Sequence, residues 1–130
     1  MSRPILVDSC WYIERMRAGQ DPLRELAVHA QSRDIATCGM VMAEVGRGIR
    51  VREQLDRYRA AWEVMMVVPS SNSLWDSTLE LAWQLDRQGK VLPFQDLHIA
   101  ICALHIGAVV LTIDPHFQQI PGLDATDKIY

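Results

Sequence analysis

Four short apolar runs constrain this chain more than any other feature: residues 5–7 (Ile-Leu-Val), 35–38 (Ile-Ala-Thr-Cys), 64–68 (Val-Met-Met-Val-Val) and 108–113 (Ala-Val-Val-Leu-Thr-Ile). None shows the strict apolar–polar alternation of a strand with one wet face, and all are too short for a stable helix. Such runs read as strands of a parallel sheet covered on both sides. The stretches between them have helical length and signals. A first helix spans residues 11–17 and closes at Gly19. Asp21-Pro22 opens a second that runs to about residue 30, because Asp caps free amides and Pro suits the first helical position. A third begins near Met40 with Val41, Val45 and Ile49 on its core face, and continues after a break near Arg52 through Tyr58 and Trp62. Pro69 stops the third strand, and Ser70-Ser71-Asn72-Ser73 caps a long helix with a Leu74, Thr78, Leu81, Leu85 stripe ending at Gly89. A last helix over residues 94–106 terminates at Gly107.

Strands alternating with helices predict an α/β fold of three layers, α/β/α, around a central parallel sheet of four to five strands. No repeat, low-complexity tract or Ser/Gly-rich linker interrupts residues 1–130, so the expectation is one domain. At 130 residues and 49% hydrophobic, with 22% charged, the composition excludes disorder. Three widely spaced cysteines, Cys10, Cys38 and Cys102, with no CxxC pair, exclude a disulfide scaffold and favour a reducing, cytoplasmic setting. The N-terminus reaches Asp8 after three apolar residues, unlike a signal peptide, and no run approaches the roughly 20 residues of a membrane span. Thirteen basic against sixteen acidic residues give a net charge of −3, which argues against a protein that coats nucleic acid.

In a parallel α/β sheet, ligands bind at the carboxyl ends of the strands. Asp8 follows the first strand and Asp114 follows the fourth. Glu44 lies early in the helix after the second strand, and Asp96 in the first turn of the last helix. Taken singly, each has an ordinary explanation: Asp8 and Asp114 as caps, Asp96 as a first-turn carboxylate favoured by the helix dipole, Glu44 as a surface residue. Gathered in one crevice, the four would repel one another and raise one another's pKa values. A divalent cation removes that penalty, and Mg2+ takes carboxylates and phosphate oxygens.

The segments Ile5-Leu6-Val7-Asp8-Ser9, Met42-Ala43-Glu44-Val45, Leu92-Pro93-Phe94-Gln95-Asp96-Leu97-His98-Ile99-Ala100 and Leu111-Thr112-Ile113-Asp114-Pro115-His116-Phe117 resemble the PIN-domain family. Their order and spacing are similar to the small VapC-type toxin ribonucleases of toxin–antitoxin pairs. The most specific pieces are Pro-x-x-Asp-x-x-Ile-Ala and Leu-Thr-x-Asp-x-x-Phe. The resemblance implies a catalytic set of Asp8, Glu44, Asp96 and Asp114. It also implies Mg2+ or Mn2+ held by Asp8, Asp96 and Asp114, directly or through water, and endonucleolytic hydrolysis of RNA leaving a 3′-hydroxyl and a 5′-phosphate. A cognate antitoxin and a homodimer are its implied partners. The family commonly carries Asp-Thr-Ser or Asp-Thr-Asn where this chain has Asp8-Ser9-Cys10, so an oxygen donor is missing at the third place. A non-catalytic PIN-like domain that binds RNA or protein is the alternative. A phosphatase of similar topology is disfavoured, because it needs Asp-x-Asp after the first strand.

Ser9 and Thr112 are candidate hydroxyls for orienting the carboxylates, and equally compatible with local capping. Arg47 and Arg50, with Gln54 and Arg57, share the face of Glu44 if the helix is continuous, and would then hold RNA phosphates. The competing explanation is a solvated face or salt bridges to Glu53 and Asp56. Two Asp-x-His pairs invite a histidine-ligated metal. Asp96 and His98, two apart on a helix, point in different directions and should not share one ion, whereas His116 sits in a less regular turn and stays eligible. His98 and His105 share a helical face and are expected to be exposed or at an interface. Cys38 and Cys102 are expected in the core. The four tryptophans, Trp11, Trp62, Trp75 and Trp83, are too scattered for a base-stacking platform and suit the core or a subunit interface.

Overall fold

The computed structural model describes residues 2–129. Among the described residues, five parallel strands form one sheet and, numbered along the chain, lie side by side in the order third, second, first, fourth, fifth. The strands are β1 (Ile5–Val7), β2 (Ile35–Cys38), β3 (Met66–Val68), β4 (Val109–Leu111) and β5 (Ala125–Thr126). Among the described residues, six α-helices connect them and cover the sheet: α1 (Ser9–Arg17), α2 (Pro22–His29), α3 (Gly39–Arg47), α4 (Arg52–Glu63), α5 (Asn72–Arg87) and α6 (Phe94–His105). A 3-10 turn, Pro115–Gln119, follows β4. This is the expected α/β/α architecture.

The central strands owe their place to their composition. Ile5, Leu6 and Val7 are each at most 1% exposed, and Val110 and Leu111 are fully buried. The expected signals set most helix ends. Asp21 accepts a hydrogen bond from the Arg24 amide ahead of Pro22, and Ser71 does the same for Leu74. Gly107, at φ +66, takes the left-handed conformation that ends α6 and turns the chain into β4.

The third and fourth strands are shorter than expected. Val64 caps α4 and is 87% exposed, and β3 is an edge strand paired only to β2, with Met66 and Val67 partly exposed. The sheet's other edge is the two-residue β5, registered through Val110–Ala125 and Leu111–Thr126. The helix break falls at residues 48–51, between α3 and α4.

His98 corrects the sequence reading. It is fully buried rather than exposed, with Nδ1 2.9 Å from Thr78 Oγ1 and Nε2 3.1 Å from Ser70 Oγ. Thr78 donates its own proton to the Leu74 carbonyl, so it accepts from Nδ1–H, and His98 is the neutral Nδ1-protonated tautomer. Trp75 stacks on the imidazole at 3.7 Å, and burial pushes the His98 pKa down. Cys38 and Cys102 are core residues as expected. Trp11 and Trp62 pack in the core, while Trp75 and Trp83 are 38% and 54% exposed.

Candidate active site

The strand order reverses beside β1, whose neighbours are β2 on one side and β4 on the other. The crevice beyond the carboxyl ends of β1 and β4 is the switch point at which such sheets bind ligands. Val7 pairs with Leu111, and the Asp8 amide donates to the Leu111 carbonyl at 2.9 Å. That register carries Asp8, Thr112 and Asp114 to the same mouth.

Asp8 is 1% exposed and densely solvated by protein donors. Its Oδ1 accepts from the Ser9 amide at 2.8 Å and, more weakly, from Ser9 Oγ at 3.4 Å. Its Oδ2 accepts from Thr112 Oγ1 at 2.8 Å and from Cys10 Sγ at 2.7 Å. The thiol therefore supplies the donor that the Asp8-Ser9-Cys10 motif appeared to lack. Beside the Asp8 carboxylate, burial first and then that negative charge push the Cys10 pKa up to about 12, so it stays a protonated donor. Burial also raises the Asp8 pKa, opposed by its donors and reinforced by the charge of Asp114.

Ser9 and Thr112 connect the carboxylates to one another. Ser9 Oγ donates to Glu44 Oε1 at 3.1 Å, tying α3 to the mouth of β1. Thr112 Oγ1 accepts from the Asp114 amide at 2.9 Å while donating to Asp8. Both hydroxyls thus orient acidic residues. Asp8 and Asp114 also cap, accepting from the amides of Ser9 and His116 respectively, so capping and clustering coexist.

Asp96 projects into the same crevice from the first turn of α6. Its Oδ2 and Asp114 Oδ1 each lie 3.2 Å from His116 Nδ1. Burial is the main cause that lifts the Asp96 pKa to about 6; the His116 hydrogen bond opposes it, and the charges of Asp8 and Asp114 add to it. Glu44 is raised by burial and by Asp8, with Ser9 and Arg47 pulling the other way. Asp8, Glu44 and Asp96 thus each feel the charge of at least one other carboxylate of the set. One ligand atom each from Asp96, Asp114 and His116 lies within 4.8 Å of the other two, and among the described residues no other trio of His, Cys, Asp or Glu converges this closely. Two carboxylates and an imidazole are a donor set that fits a divalent cation.

His116 is the residue the sequence left open, and a 3-10 turn brings it in. Asp114 accepts from the His116 amide at 2.9 Å, and Phe117, fully buried, anchors the turn. His98 faces away from Asp96, into the core, as the helical geometry required. Arg47 and Arg50 do not share a continuous face. α3 ends at Arg47, whose charge reaches Glu44, while Arg50 lies in the connection to α4 and lines a groove with Asp21, Gln54 and Arg57. Arg57 is paired with Asp21 at 2.6 Å and Arg52 with Asp56 at 3.3 Å.

Several solved structures share this fold. VapBC2 from Rickettsia felis, bound to a promoter DNA fragment, matches with a TM-score of 0.76 at 21% identity over 95% of this chain and 97% of that one. VapBC-1 from nontypeable Haemophilus influenzae matches with a TM-score of 0.74 at 23% identity, covering 95% and 96%. Mycobacterium tuberculosis VapC20, described as a sarcin-ricin loop cleaving toxin, matches with a TM-score of 0.61 at 16% identity, covering 85% and 90%. No curated protein matches the chain. The PIN domain family model matches residues 5–123, which takes in β1 through β4 and all four clustered carboxylates; the chain belongs to the PIN-domain family.

Proposed function

We propose that this protein is a divalent-metal-dependent endoribonuclease and the toxin of a type II toxin–antitoxin pair. The observation that carries the proposal is the convergence of Asp8, Glu44, Asp96 and Asp114 at the β1–β4 switch point, with burial raising the pKa of three of them. The fold relatives support it, being VapBC complexes and a toxin that cleaves the sarcin-ricin loop.

Asp96 and Asp114 would hold Mg2+ or Mn2+, with Asp8 joining directly or through water and Glu44 completing the acidic wall. A bound cation would supply two things: neutralisation of the scissile phosphate and a lowered pKa for water. The chain's own residues do the rest. Thr112, Ser9 and Cys10 hold Asp8 in one orientation, and Ser9 holds Glu44. Arg47, exposed beside Glu44, would meet a phosphate flanking the cut, and Arg50 a phosphate farther along the strand. The net charge of −3 does not oppose this role, because part of the acidity is committed to the crevice. The expected products are a 3′-hydroxyl and a 5′-phosphate.

A homodimer fits the outer face of α5, where Trp75, Leu79 and Trp83 form an exposed stripe at helical spacing. A cognate antitoxin is the expected inhibitor and the cytoplasm the expected compartment; no helix among the described residues is long and apolar enough to cross a membrane. The non-catalytic alternative drew its support from Cys10, and that thiol donates to Asp8. The test is cleavage of RNA by purified protein with Mg2+ or Mn2+, abolished by EDTA and by Asp8→Asn. Cleavage that survives both treatments overturns the proposal.

A further inference from the structure

We propose that His116 is a direct ligand of the metal ion and that it biases the site toward a transition divalent cation such as Mn2+ over Mg2+. The inference deepens the metal-dependent nuclease reading and rests on it. Three observations carry it, all geometric. His116 Nδ1 lies 3.2 Å from a carboxylate oxygen of Asp96 and 3.2 Å from one of Asp114, so one nitrogen and two oxygens converge. Asp8 does not belong to this trio, and its oxygens are already met by Ser9, Cys10 and Thr112. An ionised carboxylate offers about four lone-pair sites, and the Ser9 amide, Cys10 and Thr112 fill one on Oδ1 and both on Oδ2, while the Ser9 hydroxyl proton goes to Glu44, so Asp8 keeps at most one site for an ion. Finally, His116 is 41% exposed at its side chain and held by the Asp114 cap, so the ring reaches the crevice mouth without unpacking the core.

The chemistry of the donor atoms sets the preference. Mg2+ is a hard cation that takes oxygen ligands. Imidazole nitrogen suits transition divalent cations, whose affinities rise from Mn2+ toward Cu2+. In the metal-free protein Nδ1 is hydrogen-bonded to Asp96 Oδ2, with Asp114 Oδ1 at the same distance of 3.2 Å. With an ion bound, the neutral ring carries its proton on Nε2 and presents the Nδ1 lone pair.

The experiment is electron spin-echo spectroscopy of the full chain with one equivalent of Mn2+, paired with calorimetric titration of Mn2+ and Mg2+. The wild-type complex should show the nitrogen-14 modulation of a coordinated imidazole. His116→Gln, which keeps a hydrogen-bond donor, should remove the modulation and weaken Mn2+ by at least about tenfold, a loss within the range for perturbed metal-site partners. Its Mg2+ affinity should change by less than about threefold, because oxygen ligands dominate that ion's binding. Bound Mn2+ without nitrogen modulation in the wild type overturns the inference and leaves the nuclease reading intact, and this arm requires no variant. Equal losses for both ions overturn it as well. A wild-type protein that binds neither ion overturns the inference and the metal-dependent reading together.

Discussion

Asp96→Asn should make the metal-free protein more stable while removing its activity. The Asp96 side chain is 14% exposed, and its pKa lies at about 6 against an ordinary 3.8. That gap corresponds to about 3 kcal/mol of instability once the group is ionised in the fold, at 1.36 kcal/mol per unit. The sign follows from linkage. A carboxyl whose folded pKa is raised binds more protons folded than unfolded, so its penalty is complete above pH 6 and shrinks as pH falls toward 3.8. Asn carries no charge and keeps an oxygen for His116, so it escapes the penalty at every pH. In EDTA at pH 8, Asp96→Asn should therefore melt higher by roughly 10 °C, taking about 3–4 °C per kcal/mol for a domain of this size. At pH 4 the two proteins should melt nearly together. Saturating Mn2+ should raise the wild-type melting temperature, because a ligand of the folded state stabilises it, and leave the variant almost unmoved. Differential scanning calorimetry across pH 4–8 reads all of this. An Asp96→Asn protein that melts below wild type at pH 8, or a difference independent of pH, refutes the reasoning.

Three further outcomes follow from the same contacts. Thr112→Val keeps the side-chain shape but removes the donor to Asp8 and the acceptor of the Asp114 amide; urea titration should show a loss of about 2–4 kcal/mol, the cost of one charged and one neutral hydrogen bond. Cys10→Ser restores a hydroxyl donor and should cleave RNA at close to the wild-type rate, whereas Cys10→Ala should move the acid limb of the pH–rate profile upward, because the thiol hydrogen bond holds the Asp8 pKa down. Arg47→Gln should weaken RNA binding and reduce the dependence of log affinity on log salt by about 0.7, the value for one single-strand phosphate contact; an unchanged slope removes Arg47 from the RNA path.

The parts of this fold that were legible in the sequence are those fixed by burial over consecutive residues. Ile5-Leu6-Val7 announces a central strand because all three residues must be covered. The aspartates that follow β1 and β4 announce the site, because a parallel sheet places its crevice there. What sequence could not show depends on tertiary context. The break expected near Arg52 is there, but its bounds were not legible: the Val41, Val45, Ile49 spacing runs past the end of α3 at Arg47, and Val51, which opens α4, has no capping side chain. His98 defeats an amphipathic reading because α6 is buried through most of its circumference, with residues 97–100, 102 and 103 all buried. β5 has only two residues, below any periodicity, and exists through its pairing with β4. His116 reaches Asp96 across the fold through a 3-10 turn, a direction that Asp-x-His spacing does not encode.

Asp8→Asn provides the converse of Asp96→Asn, and the two should move stability in opposite directions. Both remove a raised carboxylate, so charge alone predicts that both stabilise. The difference lies in the donors. Asp96 has one protein donor, His116 Nδ1, and an amide oxygen can still serve it. Asp8 has donors on both oxygens: the Ser9 amide on Oδ1, and Thr112 and Cys10 on Oδ2. An asparagine offers one oxygen and one NH2. Whichever way it turns, the NH2 faces a donor. Facing Ser9, it meets a backbone N–H that cannot reorient. Facing Thr112, it meets a hydroxyl whose oxygen already accepts from the Asp114 amide, and which must rotate its proton away from Asp8. Hydrogen bonds to charged groups contribute about 1.5–3 kcal/mol each, and a buried donor left unpaired costs about 1–3 kcal/mol more. Those losses exceed the relief from removing the charge, so Asp8→Asn should melt several degrees below wild type in EDTA at pH 8. Calorimetry of the two variants side by side decides the matter: a rise for both would mean that Asp8 is held by its neighbours no more firmly than Asp96.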